Sequence, residues 1–593
     1  MAALSSHSVS FQCIRAPMFC SLASMSMVPA VPCGIMRRGG IIRCSSQSSN
    51  ISVQESSTTY QFPPDVWEGY DFSPSSTDME EQLEGRRQEL KKEVKSMISH
   101  TANDPFQQLD SIDKMQRLGV AYHFEHEIKH ILETIYNNGT DFLHCTDLYY
   151  TSTWFRLLRQ AGHYASADVF NKFRDDEGRF HAYIASDALS MLSLYQASYL
   201  CIEGEDIMEE AMSFTTKHLN SMLPHLSPPL ALQVQNALKL PLHKSVERIE
   251  ARRYISYYQQ DQSRNETLLE FAKLDFNALQ KLYRSEITIL SSWWKNLNMK
   301  SRLNYPVRDR VVEAYVINNS VFFEPQFSLG RIHLTKLWLI FTLIDDAHDA
   351  YGNLDELQLL DQAIQRWNDA DLSTLTGPLK HVFLESVNFV KEVEREMKER
   401  GHFIGVPYMK KGLQDFAKAQ FEEVKYLFSE DLPILEKWFP IALRTVGFDT
   451  FVEIAAMHMG ELATKEIFDW IGSMPKLLTY TYYITRIVDD TASYKRERDM
   501  GVNISTVTCY MKEHGVSELE AVKNLSDMLS NLWKNMNREC LQLDFIPMCL
   551  LKAILNLSRT MEVFYIDGQD GFTTPKGRTE EIIMSLIVNP IYD

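Results

Sequence analysis

The chain has 593 residues, of which 45% are hydrophobic and 23% charged, a composition typical of a globular protein with room for roughly two to four domains. Its formal net charge of −18 leaves no overall electrostatic reason to bind nucleic acid, which requires concentrated Lys and Arg. No uninterrupted apolar run approaches the roughly 18 residues of a membrane span, so stable membrane insertion is not expected.

The first 54 residues differ in composition from the rest of the chain. They are rich in serine and contain no acidic residue, the first being Glu55, and they carry Arg15, Arg37, Arg38 and Arg43. An acid-poor, serine-rich and arginine-containing leader is typical of an organelle transit peptide. Because the arginines are few and late, a chloroplast is favoured over a mitochondrion. We therefore predict a plastid transit peptide over residues 1–54 and a plastid location, with a disordered tail as the alternative.

From Met79 onward the pattern is helical. Charge-rich stretches with interspersed apolar residues, at 80–97 and 389–397, favour helices. A spacing of three and four residues, which marks one buried helix face, relates Leu268, Phe271, Leu274, Ala278 and Leu282. No sustained alternation predicts a sheet, so the expected fold class is all-α.

The mature chain is expected to form two helical domains. Residues before about 270–285 carry scattered charges and no cluster of candidate catalytic or metal-binding residues. All the motifs described below follow that point. No linker marks the division. We place it so that residues 55–279 form an N-terminal helical domain and residues 280–593 a C-terminal domain that carries the chemistry.

Arg308 and Arg310 form an Arg-x-Arg pair near the start of the second domain. Alone, such a pair predicts only surface ion pairs. It precedes two carboxylate-bearing segments, however, and guanidinium groups bind phosphate oxygens through two parallel hydrogen bonds. In that setting the pair is a candidate site for a diphosphate.

Asp345 and Asp349 end an apolar helical segment, residues 337–344. A helix advances 100° per residue, so the two carboxylates share one face, which Phe341 and Leu337 continue over the preceding turns. Like charges at this spacing repel each other. A magnesium ion removes the repulsion, because Mg²⁺ prefers carboxylate oxygens together with substrate phosphates. A solvated helix end is the alternative for this motif taken alone.

A second oxygen-bearing stripe lies at Asp489, Ser493 and Glu497. These positions are i, i+4 and i+8, so a carboxylate, a hydroxyl and a second carboxylate stack along one helix face. Arg486 lies one turn before Asp489. A helix stabilised only by ion pairs would not need the hydroxyl, and the stripe therefore favours a second metal-binding face.

Together these motifs resemble those of class I plant terpene synthases, over nearly the whole mature chain. Asp345-Asp-Ala-His-Asp349 matches the aspartate-rich motif of that family, Asp489 to Glu497 its second metal motif, and Arg308/Arg310 its Arg-x-Arg pair. Supporting stretches include Phe322-Phe-Glu-Pro-Gln326 and Tyr565-Ile-Asp-Gly-Gln-Asp-Gly571. The likeness is greatest to the angiosperm subfamily of sesquiterpene synthases and some plastidial diterpene and sesterterpene synthases.

The resemblance implies a C-terminal class I terpenoid synthase fold and an N-terminal, barrel-like helical domain without catalysis of its own. It further implies three Mg²⁺ ions, with Mn²⁺ as a possible substitute, a prenyl diphosphate substrate and a monomeric enzyme. The implied metal ligands are Asp345, Asp349, Asp489, Ser493 and Glu497. The implied diphosphate-binding groups are Arg308, Arg310 and Arg486, and the implied pocket and closing-segment residues are Tyr565, Asp570 and Phe572.

Three departures from the family pattern bear on the substrate. Ser57 and Thr58 stand where cyclising monoterpene synthases carry paired arginines before Trp67, which disfavours a C10 substrate. The N-terminal half has no DxDD acid motif, so protonation-initiated cyclisation is not expected. Many relatives also carry a pocket Trp seven residues after the second arginine, where this chain has Ile317. An enlarged pocket or compensation by other aromatic residues would each explain the smaller side chain.

The sequence thus predicts a lyase that ionises a linear prenyl diphosphate and cyclises the carbocation. Plastids supply C10 and C20 and in some plants C25 chains, so geranylgeranyl or geranylfarnesyl diphosphate is the predicted substrate. Farnesyl diphosphate (C15) is the alternative. A prenyltransferase would show two DDxxD motifs on a shorter chain. A non-catalytic isoprenoid-binding helical protein would not need both metal faces.

Overall fold

A computed structural model describes residues 62–74, 80–100, 104–138, 142, 144–351, 353–368, 372–375, 377–427, 432–499 and 501–592. Within these ranges the chain folds into helices joined by short turns, and its β-type pairing is one isolated bridge between Arg174 and Phe180. The predicted all-α class is confirmed. The predicted transit peptide lies outside the described residues.

The N-terminal helices precede every motif of the candidate site. They are α1 (Glu80–His100), α2 (Pro105–Arg117), α3 (Glu125–Asn138), α4 (Leu148–Gln160), α5 (Ala188–Ser198), α6 (Asp206–Met222), α7 (Pro228–Lys239), α8 (Glu247–Tyr258) and α9 (Glu266–Leu297). The helix predicted over residues 80–97 is confirmed as α1.

Helix α9 is 32 residues long and joins the two halves of the chain. The predicted helix is confirmed, but its predicted buried face is partly wrong, since Ala278 is exposed and Leu282 only partly buried. The helix packs against α1 and α8 on the N-terminal side and against its C-terminal neighbours, so burial follows a wider stripe. That stripe includes Leu268, Phe276, Leu279, Tyr283 and Ile287. The domain boundary predicted between residues 279 and 280 falls inside α9 and stays a prediction.

The C-terminal helices carry the candidate site. They are α10 (Met299–Arg302), α11 (Val311–Val321), α12 (Ser328–Ala350), α13 (Leu354–Arg366), α14 (Leu379–Glu399), α15 (Val406–Leu427), α16 (Leu435–Ala442), α17 (Phe448–Met457), α18 (Lys465–Gly472), α19 (Lys476–Asp499), α20 (Thr506–His514), α21 (Glu518–Gln542), α22 (Met548–Phe564) and α23 (Arg578–Ile583). The helix predicted over residues 389–397 is confirmed within α14.

Helices α12 and α19 hold the two carboxylate stripes. Helix α12 packs against α11, α14, α15 and α17, and α19 packs against α17, α20, α21 and α22, so α17 contacts both. The stretch Pro325–Ala350 is long and apolar enough to cross a membrane by length and composition, but it lies mostly buried inside the protein. It is the core helix that the apolar segment 337–344 predicted.

Candidate active site

The first carboxylate face ends helix α12. Asp345 keeps 30% of its side chain exposed and accepts a hydrogen bond from Nη2 of Arg308. Asp349, one turn later, is solvent-accessible, yet surrounding protein atoms desolvate it. This desolvation and the neighbouring Asp345 carboxylate raise the pKa of Asp349 well above its ordinary value. The face therefore holds two carboxylates that a cation would stabilise.

Asp346 lies in the sequence between Asp345 and Asp349, and its buried carboxylate binds Arg308. Its oxygens accept hydrogen bonds from Nε of Arg308 at 2.7 Å and from the backbone N–H of the same residue at 2.7 Å. Burial raises the pKa of Asp346 to about 6, against the opposing effect of Arg308. Because Asp346 lies 100° around the helix from Asp345, it fixes Arg308 beside the site without facing it.

The second face lies on α19. Asp489 accepts a hydrogen bond from Arg486, one turn earlier, while Nε of Arg486 is buried without a hydrogen-bond partner. The Ser493 hydroxyl is 1% exposed and makes no hydrogen bond of ordinary geometry, although it lies close enough to lower the pKa of Glu497. Burial dominates at that carboxyl, and its pKa is raised overall. The stripe thus keeps donors and acceptors without protein partners.

Asp490 repeats on α19 the role of Asp346 on α12. It is 3% exposed, pairs with Arg486 at 2.6 Å, and accepts a hydrogen bond from the backbone N–H of Thr506 at the start of α20. In each Asp-Asp pair the first carboxylate therefore faces the site, and the second is buried and holds an arginine in place.

Glu423 on α15 and Tyr565 after α22 each interact electrostatically with groups of both faces. Burial raises the pKa of Glu423 to about 7, an effect that Asp345 strengthens and Arg486 opposes. Burial and the Asp489 carboxylate raise the pKa of Tyr565, while the arginines of both faces oppose this rise. Groups from both faces therefore lie within electrostatic range of Glu423 and Tyr565, and the helices that carry the two faces both pack against α17. No signal in the sequence points to Glu423, because it belongs to no motif.

The donor set fits divalent metal ions whose coordination shell is completed by phosphate oxygens. Within the described ranges, no group of three His, Cys, Asp or Glu side chains comes together as a self-sufficient metal site. Mg²⁺ in phosphate-binding enzymes takes one or two carboxylates and completes its shell with water and phosphate oxygens. Two carboxylates on α12, and two with an unpartnered buried hydroxyl on α19, suit that mode.

Arg310 lies apart from the carboxylates. Its guanidinium is fully buried and donates to the backbone carbonyls of Phe572 (3.2 Å), Thr573 (2.8 Å), Pro63 (2.6 Å) and Asp309 (2.8 Å). It therefore links the N-terminal segment to the segment after α22. Its predicted contact with a diphosphate stays a prediction.

The N-terminal segment around Trp67 is bound to the start of α11. Nε1 of Trp67 donates to the buried Glu313 carboxylate at 2.9 Å. The Phe62 ring lies 5.3 Å from the Arg308 guanidinium carbon, and the Phe572 ring lies 5.9 Å from the same atom. Arg308 is thereby held between two aromatic faces.

Asp570 organises the segment that follows α22. One carboxylate oxygen accepts hydrogen bonds from the backbone N–H groups of Phe572 (3.1 Å) and Thr573 (2.8 Å). The other accepts from Nη2 of Arg496 at 2.8 Å, in the last turns of α19. Asp570 thus positions this segment against the second face, and its predicted part in closing the site stays a prediction.

An aromatic wall lies beyond the carboxylates. The Phe341 and Phe416 rings stack at 3.8 Å between centroids, and Phe451 meets Phe341 edge-on at 5.6 Å. Gly447, at the start of α17, has φ +66°, and a Cβ there would lie 2.5 Å from Phe341 and 2.9 Å from Phe416. The absence of a side chain at Gly447 lets the backbone approach the stacked rings.

A Gly447→Ala variant should therefore lose stability through both strain and steric overlap. We expect the left-handed backbone to cost about 1–2 kcal/mol and the overlap about 1–3 kcal/mol more in the free energy of unfolding. Gly515→Ala is the matched control, because Gly515 has φ +65° and a Cβ there would meet no atom within 4 Å. Urea unfolding measures the free energy of unfolding of both variants. Equal losses would show that the rings do not press on residue 447.

Known proteins match this chain along its length. The family model "Terpene synthase family, metal binding domain" matches residues 295–535, and "Terpene synthase, N-terminal domain" matches residues 65–238. (−)-Germacrene D synthase of Vitis vinifera is 39% identical over 546 residues, which cover 92% of this chain and 98% of that protein. A sesquiterpene synthase of Santalum spicatum is 38% identical over 536 residues, covering 89% of this chain and 95% of that protein.

A solved structure matches the fold as well. Isoprene synthase of grey poplar (Populus x canescens), in complex with three Mg²⁺ ions and dimethylallyl-S-thiolodiphosphate, superimposes with a TM-score of 0.81 at 32% sequence identity. The match covers 86% of this chain and 97% of that chain.

Proposed function

The chain belongs to the terpene synthase family, and from that premise we propose that it is a sesquiterpene synthase that cyclises farnesyl diphosphate. As a family member it is a lyase that acts on a prenyl diphosphate with the help of a divalent metal. The observation that carries the proposal is that the helices bearing the two carboxylate faces both pack against α17, in a chain similar over 89% of its length to a sesquiterpene synthase. The relatives thus favour the C15 alternative over the C20 or C25 substrate that the sequence put first.

Both faces would bind the diphosphate end of the substrate. Asp345 and Asp349 on α12, with Asp489, Ser493 and Glu497 on α19, would hold three Mg²⁺ ions. When bound, the metal supplies positive charge that stabilises the leaving diphosphate as the C–O bond ionises. Mn²⁺ is the proposed substitute.

The arginines of the chain assist the same step. Arg308 is held by Asp346 and two aromatic rings, and Arg486 keeps an unpartnered Nε donor, so both are preorganised for an anion. Fixed donors stabilise developing charge without reorganising during the reaction. The diphosphate leaves with the electron pair of the C–O bond, and a carbocation remains on the hydrocarbon.

The aromatic wall and the closing segment would protect that carbocation. Aromatic faces attract cations through the negative potential above the ring, and the buried Phe341 and Phe451 rings would lie behind the wall of the pocket. The segments held by Arg310 and Asp570 would exclude water, which would otherwise convert the cation to an alcohol. The monomeric state and the absence of membrane insertion remain predictions.

The plastid location also remains a prediction, because residues 1–54 lie outside the described part of the chain. The location bears on which substrate the enzyme meets, since the cytosol is the usual source of farnesyl diphosphate. A fusion of these residues to a fluorescent protein tests it, and cytosolic fluorescence would remove the original reason for expecting a longer chain.

The decisive experiment incubates the full-length chain with Mg²⁺ and C10, C15, C20 or C25 diphosphate in parallel. We expect kcat/KM for the C15 substrate to exceed the others by at least about tenfold, because one isoprene unit changes the fit to an apolar pocket. Diphosphate release and gas chromatography of the hydrocarbon measure it. Preference for C20 or C25 would restore the longer-chain prediction, and no diphosphate release from any substrate would refute the enzyme assignment.

A further inference from the structure

Trp338 shares the helix face of the first metal motif. It precedes Asp345 by seven residues, or two turns of α12, so its side chain projects within about 20° of the Asp345 direction. The rise of the helix separates the two residues by about 10 Å along the axis. Leu337, which the helical spacing predicted on this face, is instead fully buried.

The indole of Trp338 reaches accessible space while its neighbours do not. Trp338 is partly exposed, whereas Leu337, Leu339 and Ile340 are fully buried on the other sides of the helix. With the diphosphate at Asp345, as proposed above, a hydrocarbon chain that extends along this face of α12 would reach Trp338.

Aromatic residues from two other elements fix the indole. Phe451 of α17 meets it edge-on at 5.4 Å between ring centroids, and Phe572 of the closing segment does so at 5.5 Å. Phe448 lies at 6.3 Å. The ring is therefore held between α17 and the segment that Asp570 positions, and its orientation is set by packing.

Ile317 does not contribute to this accessible space. It is fully buried in α11, a helix whose residues are all buried. The structure therefore shows Ile317 as part of the packed interior, whereas the bulky ring of Trp338 is partly exposed. Both explanations for the smaller side chain at Ile317, an enlarged pocket and compensation by other aromatic residues, remain open.

We infer that Trp338 forms the floor of the hydrocarbon pocket and limits the length of the prenyl chain that can bind there. The inference rests on the proposed function, because it takes the diphosphate to lie at Asp345 and the chain to extend along α12. A substrate one isoprene unit longer would have to displace the indole, whose ring system is larger than that unit.

The test compares Trp338→Leu with the unaltered full-length chain on C15, C20 and C25 diphosphates in the presence of Mg²⁺. The measured quantity is the ratio of kcat/KM for each longer substrate to that for the substrate the unaltered chain prefers. We expect this ratio to rise at least about tenfold for the next longer chain. Trp470→Leu on α18, where the ring contacts Phe545, is the matched control and should leave the ratio unchanged.

Trp338→Phe guards against loss of folding. It keeps an aromatic ring with a smaller volume, so a smaller rise in the same ratio is expected, and circular dichroism reports folding of all variants. A ratio within twofold of the unaltered chain in both Trp338 variants would overturn the inference, whichever substrate that chain prefers. A preference of the unaltered chain for C20, with a raised C25 ratio in the variants, would refute the proposed function and still support the role of Trp338.

Discussion

Asp345→Asn and Glu497→Gln variants are each expected to lose turnover by on the order of a thousandfold while remaining folded. Each change removes one negative charge and leaves a side chain of nearly the same shape. The carboxylates lie on two helix faces whose charged groups are within electrostatic range of Glu423 and Tyr565. Without either charge, the site would bind its divalent metal more weakly. The leaving diphosphate would then be less well stabilised, and the C–O bond would ionise more slowly.

Diphosphate release at saturating Mg²⁺ measures this loss, and circular dichroism checks that the helices persist. Asp527→Asn on the exposed side of α21 is the matched control, because it removes the same charge away from the site. It should keep near-normal turnover. Near-normal turnover in Asp345→Asn or Glu497→Gln would show that the metal assignment is wrong.

Arg308→Lys is expected to lower kcat/KM by about a hundredfold. The guanidinium of Arg308 donates to Asp345 and Asp346 at once, and a lysine ammonium cannot reproduce this planar two-sided contact. Each charged hydrogen bond is worth roughly 1.5–3 kcal/mol, so the loss of geometry at a leaving anion accounts for a change of this size. Steady-state kinetics with the preferred prenyl diphosphate measure it.

A surface arginine provides the comparison. Arg538 pairs with Glu203 at 2.8 Å on the outside of the protein, and an exposed pair contributes little. Arg538→Lys should therefore leave kcat/KM within about twofold. If Arg308→Lys behaves in the same way, Arg308 serves the fold and not the leaving diphosphate.

Helical spacing was sufficient to predict which residues share one side of α12 and of α19. Asp345 and Asp349 repeat at i and i+4, and Asp489, Ser493 and Glu497 at i, i+4 and i+8, which a 3.6-residue period places on one side of a helix. The structure has helices there, with these residues on the accessible or unpartnered sides. Local periodicity therefore carries information about a helix face before any tertiary contact is known.

Helical spacing predicted buried residues less reliably on helices that pack against several neighbours. Ala278 fits the stripe of a buried face on α9 but is exposed, and Leu337 fits the face below Asp345 but is buried against the core. Helix α9 contacts helices of both halves of the chain, so its buried side is wider than one stripe. The sequence does not specify how many neighbours a helix has.

By itself the sequence determined the all-α fold, and it predicted two metal-binding faces, because helix period and side-chain chemistry are local properties. Only the tertiary structure decided what lies opposite those faces. It placed Glu423 within electrostatic range of both, used Asp346 and Asp490 to hold arginines, and surrounded Arg310 with backbone carbonyls. These relations join residues that are up to 263 positions apart, as in the bond from Arg310 to Thr573. The packing of distant helices sets such contacts, and no periodicity within one segment encodes them.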